Sequence, residues 1–212
     1  MSDNWPTNDT MKFPNYRILY FVPNIIGYVR IILLVASWIH IDSDPKLFVV
    51  LYVASVVLDA LDGIAARKLN QTSAFGAWFD VVIDNVGRGM LWSFIYKWGY
   101  FVSALEWLVL VCTHTYGPTW KTAGTDTPPF WVKAVMANNF RTVIGSYAIA
   151  GLHVLPMWLY GLQKLEIIYT WLGSQAVAGI TAILVSGRLI CALVEVKILE
   201  FSYCTQTNSR KI

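Results

Sequence analysis

The sequence predicts an all-α polytopic membrane protein, and three observations predict it. Of the 212 residues, 56% are hydrophobic and only 14% are charged, whereas soluble domains carry about a quarter charged residues. The apolar residues gather into stretches near 23–41, 47–66, 75–97, 100–115, 140–162 and 168–194. Most of these approach the roughly 20 residues with which a helix crosses a bilayer. The 10 Trp and 11 Tyr are what aromatic belts at the two membrane surfaces require. About six transmembrane helices are therefore expected.

Taken in order, residues 1–12 are polar and lack the apolar core of a cleavable signal. They are expected to form a disordered N-terminus. The stretch Phe13 to Val22 mixes Lys12 and Arg17 with Phe13, Tyr16, Leu19, Tyr20 and Phe21, a pattern for a short interfacial segment feeding the first span. His40 to Lys46 is a polar turn, and Lys68 to Ala74 joins the second and third spans. The third span is interrupted by charge and the fourth is short. Residues 113–133, rich in Thr, Gly and Pro, read as a loop before the last two spans. From about residue 195 the chain is charged and reads as extramembrane. The expected organisation is one membrane domain over 13–200 and a C-terminal tail over 201–212.

The formal net charge of +3 is too small to imply a nucleic-acid partner. Its distribution is more informative. With both termini on the cytoplasmic side, that face collects Lys12, Arg17, Arg67, Lys68, Lys121, Lys133, Arg210 and Lys211, against Lys46, Lys97 and Lys164 opposite. This follows the positive-inside rule. Cys112, Cys191 and Cys204 have neither metal-ligand spacing nor a disulfide framework.

The chemistry lies in four aspartates inside apolar helices: Asp59, Asp62, Asp80 and Asp84. Each costs about 2.5 kcal/mol or more to insert, so an intramembrane carboxylate marks a functional site by default. Asp59 and Asp62 are i, i+3, and Asp80 and Asp84 are i, i+4, so each pair shares one helix face. The connection between the helices is centred near residue 71, which places both pairs at one depth of an antiparallel hairpin. Four converging carboxylates need compensating cations, and a hard divalent ion such as Mg²⁺ prefers those oxygens. Two such ions form a clamp for displacement at phosphorus. Gly63, Ala66 and Gly76 on the same faces leave room for a nucleotide, and Arg67 borders the site as a phosphate holder. Spacing alone leaves an ion-conducting or transport site open.

The run Asp59-Ala-Leu-Asp62-Gly63-Ile-Ala-Ala-Arg67, followed by Gly76-Ala-Trp-Phe-Asp80-Val-Val-Ile-Asp84, resembles the signature of the CDP-alcohol phosphotransferase family. All eight defining positions are present: Asp59, Asp62, Gly63, Ala66, Arg67, Gly76, Asp80 and Asp84. Phe21-Val-Pro23-Asn24-Ile-Ile-Gly27-Tyr-Val-Arg30 resembles the family's entry motif, in a form most similar to the eukaryotic phosphatidylinositol synthases. The resemblance covers about residues 20–90. It implies a six-helix enzyme of the endoplasmic reticulum membrane, its active site facing the cytoplasm, and a homodimeric habit. It also implies transfer of the phosphatidyl group of CDP-diacylglycerol to myo-inositol with release of CMP. Asp59, Asp62 and Asp80 would ligate a pair of Mg²⁺ or Mn²⁺ ions, with Asp84 a shared ligand and the general base. Gly63, Ala66 and Gly76 would line the cytidine pocket.

Three alternatives stay open at this level. The acceptor can be glycerol phosphate or another alcohol, the donor can be of the CDP-choline or CDP-ethanolamine type, or the chain can be a non-catalytic homologue. Asn85 stands where the similar synthases often carry arginine, and Trp107 with aliphatics follows Glu106 where they tend to have an aspartate and polar residues. Arg88 and Arg141 are open between site and boundary roles. His40, His114 and His153 share no spacing and read as boundary or core residues.

Overall fold

A computed structural model describes residues 16–116 and 129–209. Among them there is no strand. A 3-10 turn over Tyr16–Tyr20 precedes α1 (Val22–Ile39), α2 (Pro45–Lys68), α3 (Ala74–Ile95), α4 (Gly99–Tyr116), α5 (Phe130–Phe140), α6 (Val143–Lys164) and α7 (Ile167–Ser209). Helices α1, α2, α6 and α7 are long and apolar enough to cross a membrane. Helix α3 has the length, with 22 residues, but carries Asp80, Asp84 and Arg88. The apolar part of α4, Gly99–His114, is shorter. The chain is an all-α polytopic membrane protein.

Local chemistry fixes where the helices begin. Asp44 caps α2, its Oδ1 accepting from Leu47 N at 3.1 Å, with Pro45 in the first turn. Ser73 Oγ caps α3 through Gly76 N at 2.9 Å, and Thr142 Oγ1 caps α6 through Gly145 N at 3.1 Å. Arg67 and Lys68 sit in the last turn of α2, where cations complement the helix dipole. Within α7 the backbone breaks at Gly173, with φ 73°, a left-handed conformation that glycine adopts without a Cβ penalty.

The structure corrects three boundaries. The stretch 113–133 is not a loop throughout: α4 runs to Tyr116 and α5 begins at Phe130. Helix α5 follows a Pro-rich stretch and shows no apolar stripe that would mark it in advance. The fifth span starts at Val143 rather than 140, because Arg141 and Thr142 form the turn between α5 and α6. The region from 195 continues α7 to Ser209 and buries Glu195. The expectations placed on residues 1–12, Lys121, Arg210 and Lys211 lie outside the described residues.

Helix α1 packs along α2 and also against α3, whereas α2 and α3 make no extensive contact with each other. The expected hairpin is thus opened by α1 wedged between its arms. Helix α3 continues onto α4 and α6, and α6 packs along α7. A Cβ on Gly151 would lie 2.2 Å from Arg188 N, and one on Gly187 would lie 2.7 Å from Tyr147 O. Bare glycines therefore let α6 and α7 meet backbone to backbone. One core, around Leu34, Phe48, Tyr52, Ile83, Leu91 and Tyr160, joins α1, α2, α3 and α6. A second, around Val132, Val135, Ala148, Leu152, Cys191 and Val194, joins α5, α6 and α7.

Candidate active site

The wedge of α1 carries Arg30 into the aspartates. Its guanidinium lies 2.7 Å from Asp59, 2.9 Å from Asp62, 2.5 Å from Asp80 and 2.7 Å from Asp84. Arg30 is almost wholly buried, and Ser55 Oγ donates to its carbonyl at 3.3 Å. Carboxylate oxygens of Asp59, Asp62 and Asp80 lie within 4.8 Å of one another. One guanidinium against four carboxylates leaves three negative charges unmatched. Asp59, Asp80 and Asp84 also keep 37%, 43% and 28% of their side chains exposed. A compact all-oxygen donor set with surplus negative charge suits a hard divalent cation.

Two cavities meet at this cluster. The shallower, of about 140 Å³, is lined by Pro23, Asn24, Gly27, Arg30, Asp62, Gly63, Ala66, Gln71, Thr72, Ser73, Gly76 and Asp80 among others. A Cβ on Gly76 would stand 2.9 Å from Asn24 Oδ1 and 3.1 Å from Ser73 Oγ, so only a glycine keeps this wall open. Asn24 is held by its Nδ2 donating to Ile18 O at 2.6 Å, and Gln71 Oε1 accepts from Val22 N at 2.9 Å. The deeper cavity, of about 280 Å³, is lined by Arg30, Tyr52, Ser55, Asp59, Asp84, Arg88 and His153, with Val53, Val56, Val154 and Met157. Val53, Val56 and Val154 are exposed, so this cavity opens sideways between α2 and α6. Asp62 and Asp80 thus face one cavity, Asp59 and Asp84 the other.

Behind Asp84 lies a second set of charges. Arg88 Nη1 donates to Asp84 Oδ2 at 3.3 Å, Nη2 to Asn85 Oδ1 at 2.6 Å, and Nε to Glu106 Oε2 at 2.8 Å. Glu106 Oε1 accepts from Arg188 at 3.4 Å, and Arg188 reaches Glu195 Oε2 at 3.0 Å. His153 Nε2 is 3.6 Å from Asp84 Oδ2 and 3.2 Å from Arg88 Nη1.

The structure brings together Asp59, Asp62, Asp80 and Asp84, and it gathers Gly63, Ala66 and Gly76 around one cavity. Arg67 is exposed, with its Nη1 3.5 Å from where a Gly63 Cβ would lie, and it lines neither cavity. Arg141 is exposed in the turn between α5 and α6 and also lines neither. Arg88 lines the deeper cavity and donates to Asp84. His153, read as a boundary or core residue, lies half-buried in α6 and lines the deeper cavity. Arg30, Asn24, Arg188 and Glu195 were given no role by the sequence reading. For Arg30 and Arg188 the available signal was an ionisable group inside an apolar span, whereas Glu195 lies just past the expected end of one.

The family model described as CDP-alcohol phosphatidyltransferase matches residues 20–193. The chain is 44% identical over 79 residues to the CDP-diacylglycerol–inositol 3-phosphatidyltransferase of Saccharomyces cerevisiae, covering 37% of this chain and 36% of that protein. It is 40% identical over 84 residues to the protein of the same name in Schizosaccharomyces pombe, covering 40% and 35%. It is 44% identical over 71 residues to that of Homo sapiens, covering 34% and 33%. The aligned stretches thus span about a third of the curated relatives. No solved structure matches the chain. With the family model running from residue 20 into α7, the chain belongs to the CDP-alcohol phosphatidyltransferase family.

Proposed function

We propose that the protein is a phosphatidylinositol synthase, transferring the phosphatidyl group of CDP-diacylglycerol to myo-inositol and releasing CMP. The observation that carries this reading is the carboxylate cluster standing between two cavities of different character. The shallower cavity, with Asn24, Gln71, Thr72 and Ser73 on its wall, suits the cytidine and its diphosphate. The deeper one opens between α2 and α6 through valines and suits the diacylglycerol and the acceptor. The nucleophile then attacks from the side opposite to that on which CMP leaves, as an in-line displacement needs.

In this reading Asp84, on the deeper side, takes the proton from the acceptor hydroxyl. The freed oxygen attacks the lipid-linked phosphorus, the bond from that phosphorus to the CMP oxygen breaks, and CMP departs. A pair of Mg²⁺ or Mn²⁺ ions held by Asp59, Asp62, Asp80 and Asp84 would neutralise the diphosphate and the charge that builds on its oxygens. Arg30 anchors the carboxylates from within, and the apolar walls keep water from competing with the acceptor.

The charges favour a neutral acceptor over a phosphorylated one. A phosphate-bearing alcohol needs free converging cations, but Arg30 and Arg88, which line the deeper cavity, are each matched by carboxylates. Tyr52 and His153 offer the polar contacts that a polyol uses. The reading includes a homodimer in the endoplasmic reticulum with the cluster toward the cytoplasm, as the positive-inside bias and the resemblance imply. The purified protein, given CDP-diacylglycerol with equal myo-inositol and glycerol 3-phosphate, should form phosphatidylinositol as the product seen by mass spectrometry. Phosphatidylglycerol phosphate as the main product would overturn the acceptor, and no lipid product would overturn the activity.

A further inference from the structure

Two groups of charges touch at Arg88, and they differ in balance. Arg88, Glu106, Arg188 and Glu195 alternate in sign and sum to zero, and each side chain is at most 8% exposed. The aspartates carry a surplus. Arg88 belongs to both, since it holds Glu106 at 2.8 Å and Asp84 at 3.3 Å.

We propose that Glu106 is a positioning residue for the carboxylate cluster. By matching the charge of Arg88, it lets that guanidinium steer Asp84 without cancelling the negative charge the cluster offers to divalent cations. This rests on the reading of the cluster as the metal site. Arg88 is only 8% exposed, so one unmatched charge there is screened less than a charge on the surface. With Glu106 neutral, Arg88 would join Arg30 as a second cation drawing on the charge of the aspartates. The surplus on the aspartates would fall from three charges to two, and Asp84 would be drawn into a tighter pair. Arg188 would keep Glu195 at 3.0 Å, so the far end of the chain of charges stays balanced.

A purely structural Glu106 would affect stability alone, whereas a positioning residue affects the response to metal. The test is the thermal unfolding midpoint of the full-length chain in detergent, titrated with Mg²⁺ and with Mn²⁺. It compares the unaltered protein, Glu106→Gln, Arg88→Gln and the double variant. The unaltered protein should gain stability as metal is added. Glu106→Gln should need about tenfold more metal for half of that gain, and adding Arg88→Gln to it should return the half-point to within about twofold of the unaltered value. A Glu106→Gln half-point unchanged within twofold overturns the proposal and leaves the metal site standing. No metal response in the unaltered protein overturns the metal reading itself. If Glu106→Gln does not fold, the double variant and Arg88→Gln decide, because a residue that acts through Arg88 adds nothing once Arg88 is gone. A further loss of metal response in the double variant would contradict the proposal.

Discussion

The four aspartates and the Arg88–Glu195 chain are both sets of ionisable groups inside apolar helices, yet they are built to different ends. The aspartates share one guanidinium, stay partly exposed to two cavities and carry surplus negative charge. The chain from Arg88 to Glu195 is closed, with a partner of opposite sign for every member. The balanced set ties α3, α4 and α7 together, whereas the surplus negative charge of the other is what a hard cation would match. Taking two ions out of water is expensive, and removing one partner of such a pair leaves the other uncompensated. The open set lessens that penalty through its partial exposure and through Arg30.

The comparison breaks most visibly at Asp84. Asp84→Asn should lower turnover by about 10³-fold or more while the protein remains folded. Full CMP release by that variant would remove Asp84 as the base. In the closed set the effect should appear in stability instead. Arg188→Met strips Glu195 of its partner and should cost about 3–5 kcal/mol, read as a lowered unfolding midpoint. A midpoint unchanged by this substitution would mean the chain of charges does not hold α4 and α7 together.

Sequence reading reached the open set and not the closed one, for a physical reason. Asp59 with Asp62, and Asp80 with Asp84, are close in sequence, so helical periodicity alone puts each pair on one face. The closed set is joined across long separations, 18 residues from Arg88 to Glu106 and 82 from Glu106 to Arg188. No periodicity reports such a pairing. Glu106 and Arg88 were noticed as charges, but what a buried charge does depends on its partner. Arg30 shows the same limit: it stood visible in the entry motif, and its place among the aspartates follows from α1 lying between α2 and α3. Helices α1, α2, α6 and α7 were legible because lipid demands long apolar runs, whereas α5, of 11 residues, is too short for that signal.

Smaller effects sharpen the contrast. Gly76→Leu should fill the shallower cavity from a point 2.9 Å from Asn24 Oδ1. It should raise the KM for CDP-diacylglycerol about tenfold or more, at a cost in stability of about 1–3 kcal/mol, and an unchanged KM would place the nucleotide elsewhere. At the far end of α6, Lys164 pairs with Asp42 at 2.8 Å, with Asp42 70% exposed. Lys164→Ala should cost less than about 1 kcal/mol, because water already compensates both charges. A large destabilisation there would mean exposure is a poor guide to which charge pairs matter.

As proposed, the open carboxylate cluster is a metal-dependent centre for transfer to inositol. The most direct test is CMP release from CDP-diacylglycerol by the purified protein, with and without myo-inositol, in Mg²⁺ or Mn²⁺ and again with a chelator. Release that requires inositol and stops on chelation is the predicted result. Release that survives complete chelation, or none from a folded sample with inositol and metal present, would contradict the claim.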